Sequence, residues 1–182
     1  MYEVEVKVPA DLETVRARLE ALDADRRRAV VQEDTYYDAP HREFAETDEA
    51  LRIRRESVPD RVDADESRVT YKGPLLDDES KSREEFETAV GSGETMDAVL
   101  THLGFEPAAT VRKERERYAL DGYTITLDAV DDVGEYVEVE TDVERERDLE
   151  SAREGAYEVL ERLELDPNEQ LRTSYLGLLL GN

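Results

Sequence analysis

Hydrophobic and polar positions alternate from the first residues of the chain. In MYEVEVKV, Tyr2, Val4, Val6 and Val8 interleave with Glu3, Glu5 and Lys7, the period-two signature of a strand with one apolar and one charged face. Pro9 and Asp11 mark a helix start, and Leu12, Val15, Leu19 and Leu22 follow at helical spacing. AVVQEDTYYD (29–38) reads as a strand, followed by a loop through Pro40 and a second strand in DEALRIRRE (48–56), where Leu51 and Ile53 alternate with Arg52 and Arg54. VPDRVDADE is expected to form a turn, and SRVTYKG a strand with Val69 and Tyr71 opposite Thr70 and Lys72. SREEFETAV (82–90) sets Arg83, Glu85 and Glu87 against Phe86. GETMDAVLTHLGF predicts a short helix that stops at Gly104. ATVRKERERYALDGYTITLDAV predicts a hairpin turning near Asp121-Gly122, with GEYVEVETDV as the strand after it. Ser151 and Glu154 suggest a capping box for a helix carrying Ala156, Val159, Leu160 and Leu163, and TSYLGLLL a final short helix.

The pattern amounts to about eight antiparallel strands with helices between some of them. Strand after strand offers a row of charges opposite a row of aliphatics: Glu3/Glu5/Lys7, Arg52/Arg54, Lys72, Arg83/Glu85/Glu87, Lys113/Arg115, Asp128 and Glu138/Glu140. Two architectures fit. The rows can be solvated faces of open sheets, or they can line a closed barrel whose apolar exterior is covered by helices. Period alone does not choose between them, but the concentration of scarce basic residues in these rows favours the charged lumen.

Composition narrows the function. The 182 residues carry 48 Asp and Glu against 24 Lys and Arg, a net charge of −24. Regular apolar periodicity argues against disorder, so the acidity reads as a halophilic, solvating surface, with self-repulsion screened by concentrated salt. Such a chain lacks the basic patch that nucleic acid would need. Cysteine is absent and the only histidines are His41 and His102, which excludes disulfides, thiolate sites and histidine-rich metal sites. With no linker, no secretory opening and no apolar run approaching a membrane span, a single domain over 1–182 in the cytoplasm is expected, away from membranes. Exposed barrel or helix surfaces leave room for a homodimer.

EVEVK resembles the ExExK signature that opens the CYTH superfamily, the triphosphate tunnel metalloenzymes. QEDTYYD, ALRIR, TYKGP, SREEFE, LGFEPAATVRKERERY, TLDAVDDVGEYVEVE and SYLGLLL follow in the family's order across nearly the whole chain. The spacing in TYYDAPHREFAETDEALRIRR is most similar to the class IV adenylate cyclase branch; thiamine triphosphatases and inorganic triphosphatases are relatives. The resemblance implies an α+β fold: a closed eight-stranded antiparallel barrel with helices on its outside. It implies a small-molecule triphosphate, with ATP favoured, and Mg²⁺ or Mn²⁺ as cofactor. Glu3, Glu5, Asp128, Glu138 and Glu140 are the implied metal residues, with Glu85 and Glu87 as outer candidates that hold coordinated water. Lys7, Arg52, Arg54, Lys72, Arg83, Lys113 and Arg115 would bind phosphate, and Lys7, Asp128 and Arg115 would be catalytic. The expected reaction is conversion of ATP to cyclic AMP and pyrophosphate. Alternatives are hydrolysis of inorganic, thiamine or nucleoside triphosphate, or a non-catalytic sensor of nucleotides or organic phosphates. Arg112, Glu114 and Glu116 fall on the face opposite Lys113 and Arg115 and are read as structural. Tyr36, Tyr37 and Asp38 are expected near the tunnel mouth, and SYLGLLL as a cap on the barrel.

Overall fold

The computed structural model describes residues 2–59, 61–76 and 82–181. Strand β1 (Tyr2–Pro9) leads to helix α1 (Leu12–Ala21), a two-residue strand β2 (Asp25–Arg26) and β3 (Val30–Asp38). A short helix α2 (Phe44–Thr47) precedes β4 (Ala50–Val58), β5 (Arg61–Leu75) and β6 (Arg83–Val90). Helix α3 (Gly93–His102) is followed by β7 (Glu106–Leu120), β8 (Tyr123–Val130) and β9 (Gly134–Val143), then α4 (Leu149–Arg162) and α5 (Tyr175–Leu180). The strands form one sheet in the order β2-β7-β3-β4-β5-β6-β1-β9-β8, and a β7–β8 pairing closes it. Every pairing is antiparallel. The result is a closed eight-stranded antiparallel barrel with β2 added on its outside.

Closure decides which face each row takes. Val4, Val6 and Val8 are buried on the outer wall. Val6 and Val8 pack there with Leu12, Val15 and Leu19 from α1 and Ala156, Val159 and Leu160 from α4. Burying this aliphatic surface under two amphipathic helices is the main hydrophobic gain of the fold. With the apolar row turned outward, pleating sends Glu3, Glu5 and Lys7 into the lumen. Helix α4 comes close to the wall at Gly155, where a Cβ would lie only 2.0 Å from the Tyr123 hydroxyl. That hydroxyl donates to the Ala152 carbonyl at 2.9 Å.

Local signals account for most element ends. The Asp11 carboxylate caps α1 by accepting from Thr14 N, and Gly104, at φ +93°, follows α3 where a left-handed residue is needed. Asp121 and Gly122 both have positive φ, 52° and 85°, as a two-residue type I′ hairpin requires. Two local expectations are corrected. Most of VPDRVDADE is strand: β4 and β5 pair as far as Val58 opposite Arg61, which leaves only Pro59 as described turn, and Asp60 lies outside the described residues. The capping box at Ser151 does not form either. Helix α4 begins at Leu149 after a 3-10 turn over Glu146–Asp148, and the Ser151 hydroxyl, already inside the helix, donates to the Asp148 carbonyl.

Candidate active site

The lumen is a cavity of about 1060 Å³ lined by charges from all eight barrel strands except β8, whose inward Asp128 lies behind the lining side chains. Its two kinds of charge are partly sorted. One group is acidic: single carboxylate oxygens of Glu3, Glu5 and Glu140 lie within 4.8 Å of one another. The register explains the convergence, because Glu5 faces Glu140 across the β1–β9 ladder and Glu3 lies two residues away on the same side. Three like charges this close favour a proton or a cation between them. Burial, with Glu3 adding repulsion against the pull of Arg115, raises Glu140 to about 7. Lys72 lies between Glu3 and Glu85, 2.9 Å from the Glu85 carboxylate. Burial alone would raise Glu3, but the Lys72 ammonium and the hydrogen bonds with Glu85 and Lys72 together hold Glu3 below its ordinary value. Glu85 is lifted to about 7 by burial, which exceeds the opposing effect of Lys72.

The second group is a belt of alternating charges. Arg54 grips Asp34 through a fork, Nε at 2.7 Å and Nη2 at 2.6 Å. Arg115 grips Asp128 in the same way, with Nε at 2.7 Å, and also donates to Glu138 at 2.6 Å. Between the forks, Lys113 Nζ lies 3.9 Å from both Asp34 and Asp128. Arg52 approaches Asp34 at 3.5 Å. Both aspartates are at most 1 % exposed. Bidentate geometry is what makes such deep burial of charge tolerable. Burial opposes ionisation of Asp34, yet the Arg54 and Arg52 guanidiniums hold it far below its ordinary value. Burial and then Arg115 push Lys113 down to about 7.

The residues expected from sequence therefore fall into distinct places. Glu3, Glu5 and Glu140 come together as one carboxylate cluster. Asp128 and Glu138 lie instead on Arg115, so the expected five-carboxylate set is divided between the cluster and the belt. Glu85 faces Lys72, whereas Glu87 accepts from the Thr70 hydroxyl at 2.9 Å and from Arg68 at 3.1 Å. Lys7, Arg52, Arg54, Lys72, Lys113 and Arg115 all line the cavity. Arg83 lines it too, but its Nη1 donates to the carbonyls of Asp48 and Gly73, both at 3.1 Å, which occupies part of the guanidinium with backbone. Arg112 pairs with Asp131 and Glu116 with Arg16, on the outside. Tyr36, Tyr37 and Asp38 all contribute to the cavity lining, and the Tyr37 hydroxyl donates to Asp97 on α3.

Two residues of the site were not anticipated. Asp34 is one; inward alternation of Gln32, Asp34 and Tyr36 would have placed it, but the opposite row of β3 carries Glu33 and Thr35 and is nearly as polar. Tyr175 is the other. It is the first residue of the six-residue α5, and its hydroxyl donates to Asp128 at 2.9 Å. Its ring lies 4.2 Å from Lys7 Nζ and 4.9 Å from Lys113 Nζ. A helix this short has too few turns for its period to show which residue enters the lumen.

A family model described as CYTH domain matches residues 1–175. A protein of Methanocaldococcus jannaschii named as a candidate adenylate cyclase is 35% identical over 179 residues, 98% of each chain. The structure of a Pyrococcus horikoshii protein, 36% identical, superposes with a TM-score of 0.90 over 98% of both chains. A Hippeastrum protein described as a candidate adenylyl cyclase with a dominant triphosphatase activity shares the fold at a TM-score of 0.67. It is 16% identical, with 99% of this chain and 95% of that one covered.

Proposed function

This chain belongs to the CYTH domain family, and on that premise we propose that it is a metal-dependent enzyme that converts ATP to cyclic AMP and pyrophosphate inside the barrel. The observation that carries the reading is the pairing, within one lumen, of a three-carboxylate cluster with a belt of buried cations. Binding of an anion alone has no use for converging glutamates. Capture of a cation alone has no use for Lys7, Arg52, Arg54, Lys113 and Arg115. A metal-bound polyphosphate uses both.

Glu3, Glu5 and Glu140 fit a hard divalent ion such as Mg²⁺ or Mn²⁺, because they offer only oxygens and their mutual repulsion is relieved by positive charge. Such an ion, when bound, supplies charge neutralisation and Lewis acidity beside the reacting phosphorus. The remaining work falls to the chain's own side chains. Arginines hold phosphate oxygens through two parallel N–H groups, and the lysines act as point charges along the chain of phosphates. In the cyclisation a bond forms between the ribose 3′-oxygen and the α-phosphorus, the anhydride bond to the β-phosphate breaks, and the hydroxyl proton is lost. Tethering gives that hydroxyl a large advantage in effective concentration over water. Phosphate oxygens would take over guanidinium donors now engaged by Asp34, Asp128 and Glu138.

Hydrolysis of the triphosphate by water is the competing reading, and the described activity of the Hippeastrum neighbour favours it. Incubation with ATP and Mn²⁺ or Mg²⁺, followed by chromatography and ³¹P NMR, separates the two. Cyclic AMP and pyrophosphate in equal amounts support the proposal. Orthophosphate with ADP would replace it with the hydrolase.

A further inference from the structure

Helix α5 belongs to the phosphate-binding machinery through one side chain. Leu176, Leu178 and Leu179 pack against a cluster built on Val111, Val130, Tyr136 and Tyr175, as expected of a helix that caps a barrel. Tyr175 belongs to that cluster through one face of its ring and extends beyond it. It is 5 % exposed and reaches the lumen, where its hydroxyl is tied to Asp128 and its ring is approached by the ammonium groups of Lys7 and Lys113. The Tyr136 ring, 5.3 Å away at an interplanar angle of 55°, backs it. The segment before α5 is anchored at the same level, with Leu171 N donating to the Lys7 carbonyl at 2.7 Å.

We propose that Tyr175 is a positioning residue that holds the Lys7 and Lys113 ammonium groups in place for the phosphate chain; this role rests on the reading that the lumen takes a triphosphate. The physical reason is competition. Lys113 Nζ lies between two buried aspartates at 3.9 Å, beyond hydrogen-bond length from either. A lysine in such a place tends to collapse onto one carboxylate and spend its donors there. An aromatic face attracts an ammonium without consuming a directional N–H bond. The ring therefore keeps the charge at a set depth and leaves the donors of Lys113 available to phosphate oxygens. The ring is held chiefly by its packing on Tyr136, and the hydroxyl adds one hydrogen bond to Asp128.

The test uses the ring and the hydroxyl separately. The chain has four lysines, Lys7, Lys72, Lys81 and Lys113, so ¹³C-labelled lysine gives a readable NMR spectrum. The ε-methylene protons of Lys7 and Lys113 should be shifted upfield by the ring in the wild type and in Y175F, and should return to ordinary values in Y175L. Calorimetry with inorganic triphosphate and Mn²⁺ should show affinity reduced by about tenfold in Y175L and kept within about threefold in Y175F. L178A, which trims packing outside the lumen, should lower the melting temperature and leave both readouts unchanged. If Y175L does not fold, Y175M, closer to tyrosine in length, takes its place with the same expectation. Ordinary lysine shifts in the wild type would overturn the proposal. So would unchanged affinity in Y175L, or an equal loss in L178A. Upfield shifts without triphosphate binding by the wild type would refute the triphosphate reading itself, and this role with it.

Discussion

Replacing Asp34 by asparagine removes one negative charge from the centre of the cation belt and changes almost nothing in shape. The carboxylate is 1 % exposed and faces the Arg54 fork at 2.7 and 2.6 Å, Arg52 at 3.5 Å and Lys113 at 3.9 Å. Breaking a buried pair from one side leaves the partner charge uncompensated, at a cost of about 3–5 kcal/mol. For a chain of this length that corresponds to a fall in melting temperature of roughly 6–20 °C. The loss has a defined pH dependence. Burial would raise Asp34, but the guanidiniums depress it far below its ordinary 3.8, so its stabilisation is complete above that value and is lost as acid titrates the folded carboxylate. The wild-type advantage in thermal melts should therefore be constant from about pH 5 to 8 and shrink below about pH 4. Saturating triphosphate with Mn²⁺ should restore more stability to D34N than to the wild type, because phosphate supplies the missing anion. A D34N melting temperature within about 2 °C of wild type would show that Asp34 does not hold the belt together, and a deficit that triphosphate does not narrow would show that phosphate does not replace it.

Other outcomes follow from the same charges. Glu5→Gln and Glu140→Gln should abolish metal-dependent turnover while leaving the metal-free protein as stable as wild type or more so, since each relieves like-charge repulsion; circular dichroism melts beside activity assays check both halves. Glu140, raised from 4.5 to about 7, keeps a proton that a metal must displace. Mn²⁺ affinity measured by calorimetry should therefore strengthen between pH 5.5 and 7.5, by up to about tenfold per pH unit, and a flat profile would exclude Glu140 as a ligand. The same raised value means that, without metal, stability gained from the folded protonated form is lost as pH climbs from 4.5 towards 7. The net charge of −24 predicts melting temperatures that climb steeply from dilute buffer to molar KCl as repulsion is screened. Melts indifferent to salt would contradict the halophilic reading.

The barrel was legible because alternation on β1, β4 and β9 sets aliphatics against charges, and only one of those faces can meet the helices. The lumen's basic residues were legible for the same reason. The partner of each charge was not, because sequence gives the face on which a side chain lies but not the register that places Arg115 beside Asp128 or Glu5 beside Glu140. For that reason the sequence names five metal candidates without saying which of them converge; the register brings Glu3, Glu5 and Glu140 together and sets Asp128 and Glu138 on Arg115. Asp34 was obscured by the polar outer row of β3, and Tyr175 by the shortness of α5. The hairpin at Val58 and Arg61 was misjudged because charge-rich VDADE carries turn-forming residue types, and pairing with β4 overrides that preference. Ser151 mimicked a cap, but the 3-10 turn at Glu146–Asp148 had already started the helix.

The proposed function places a divalent metal on Glu3, Glu5 and Glu140 and a triphosphate along the adjoining cations of the same lumen. Crystals grown with Mn²⁺ and a non-hydrolysable ATP analogue, measured at a wavelength where manganese scatters anomalously, test it directly. An anomalous peak is expected among those three carboxylates, with phosphate oxygens in contact with Lys113 and Arg115. A peak on other residues, or a triphosphate bound outside the barrel, would contradict it.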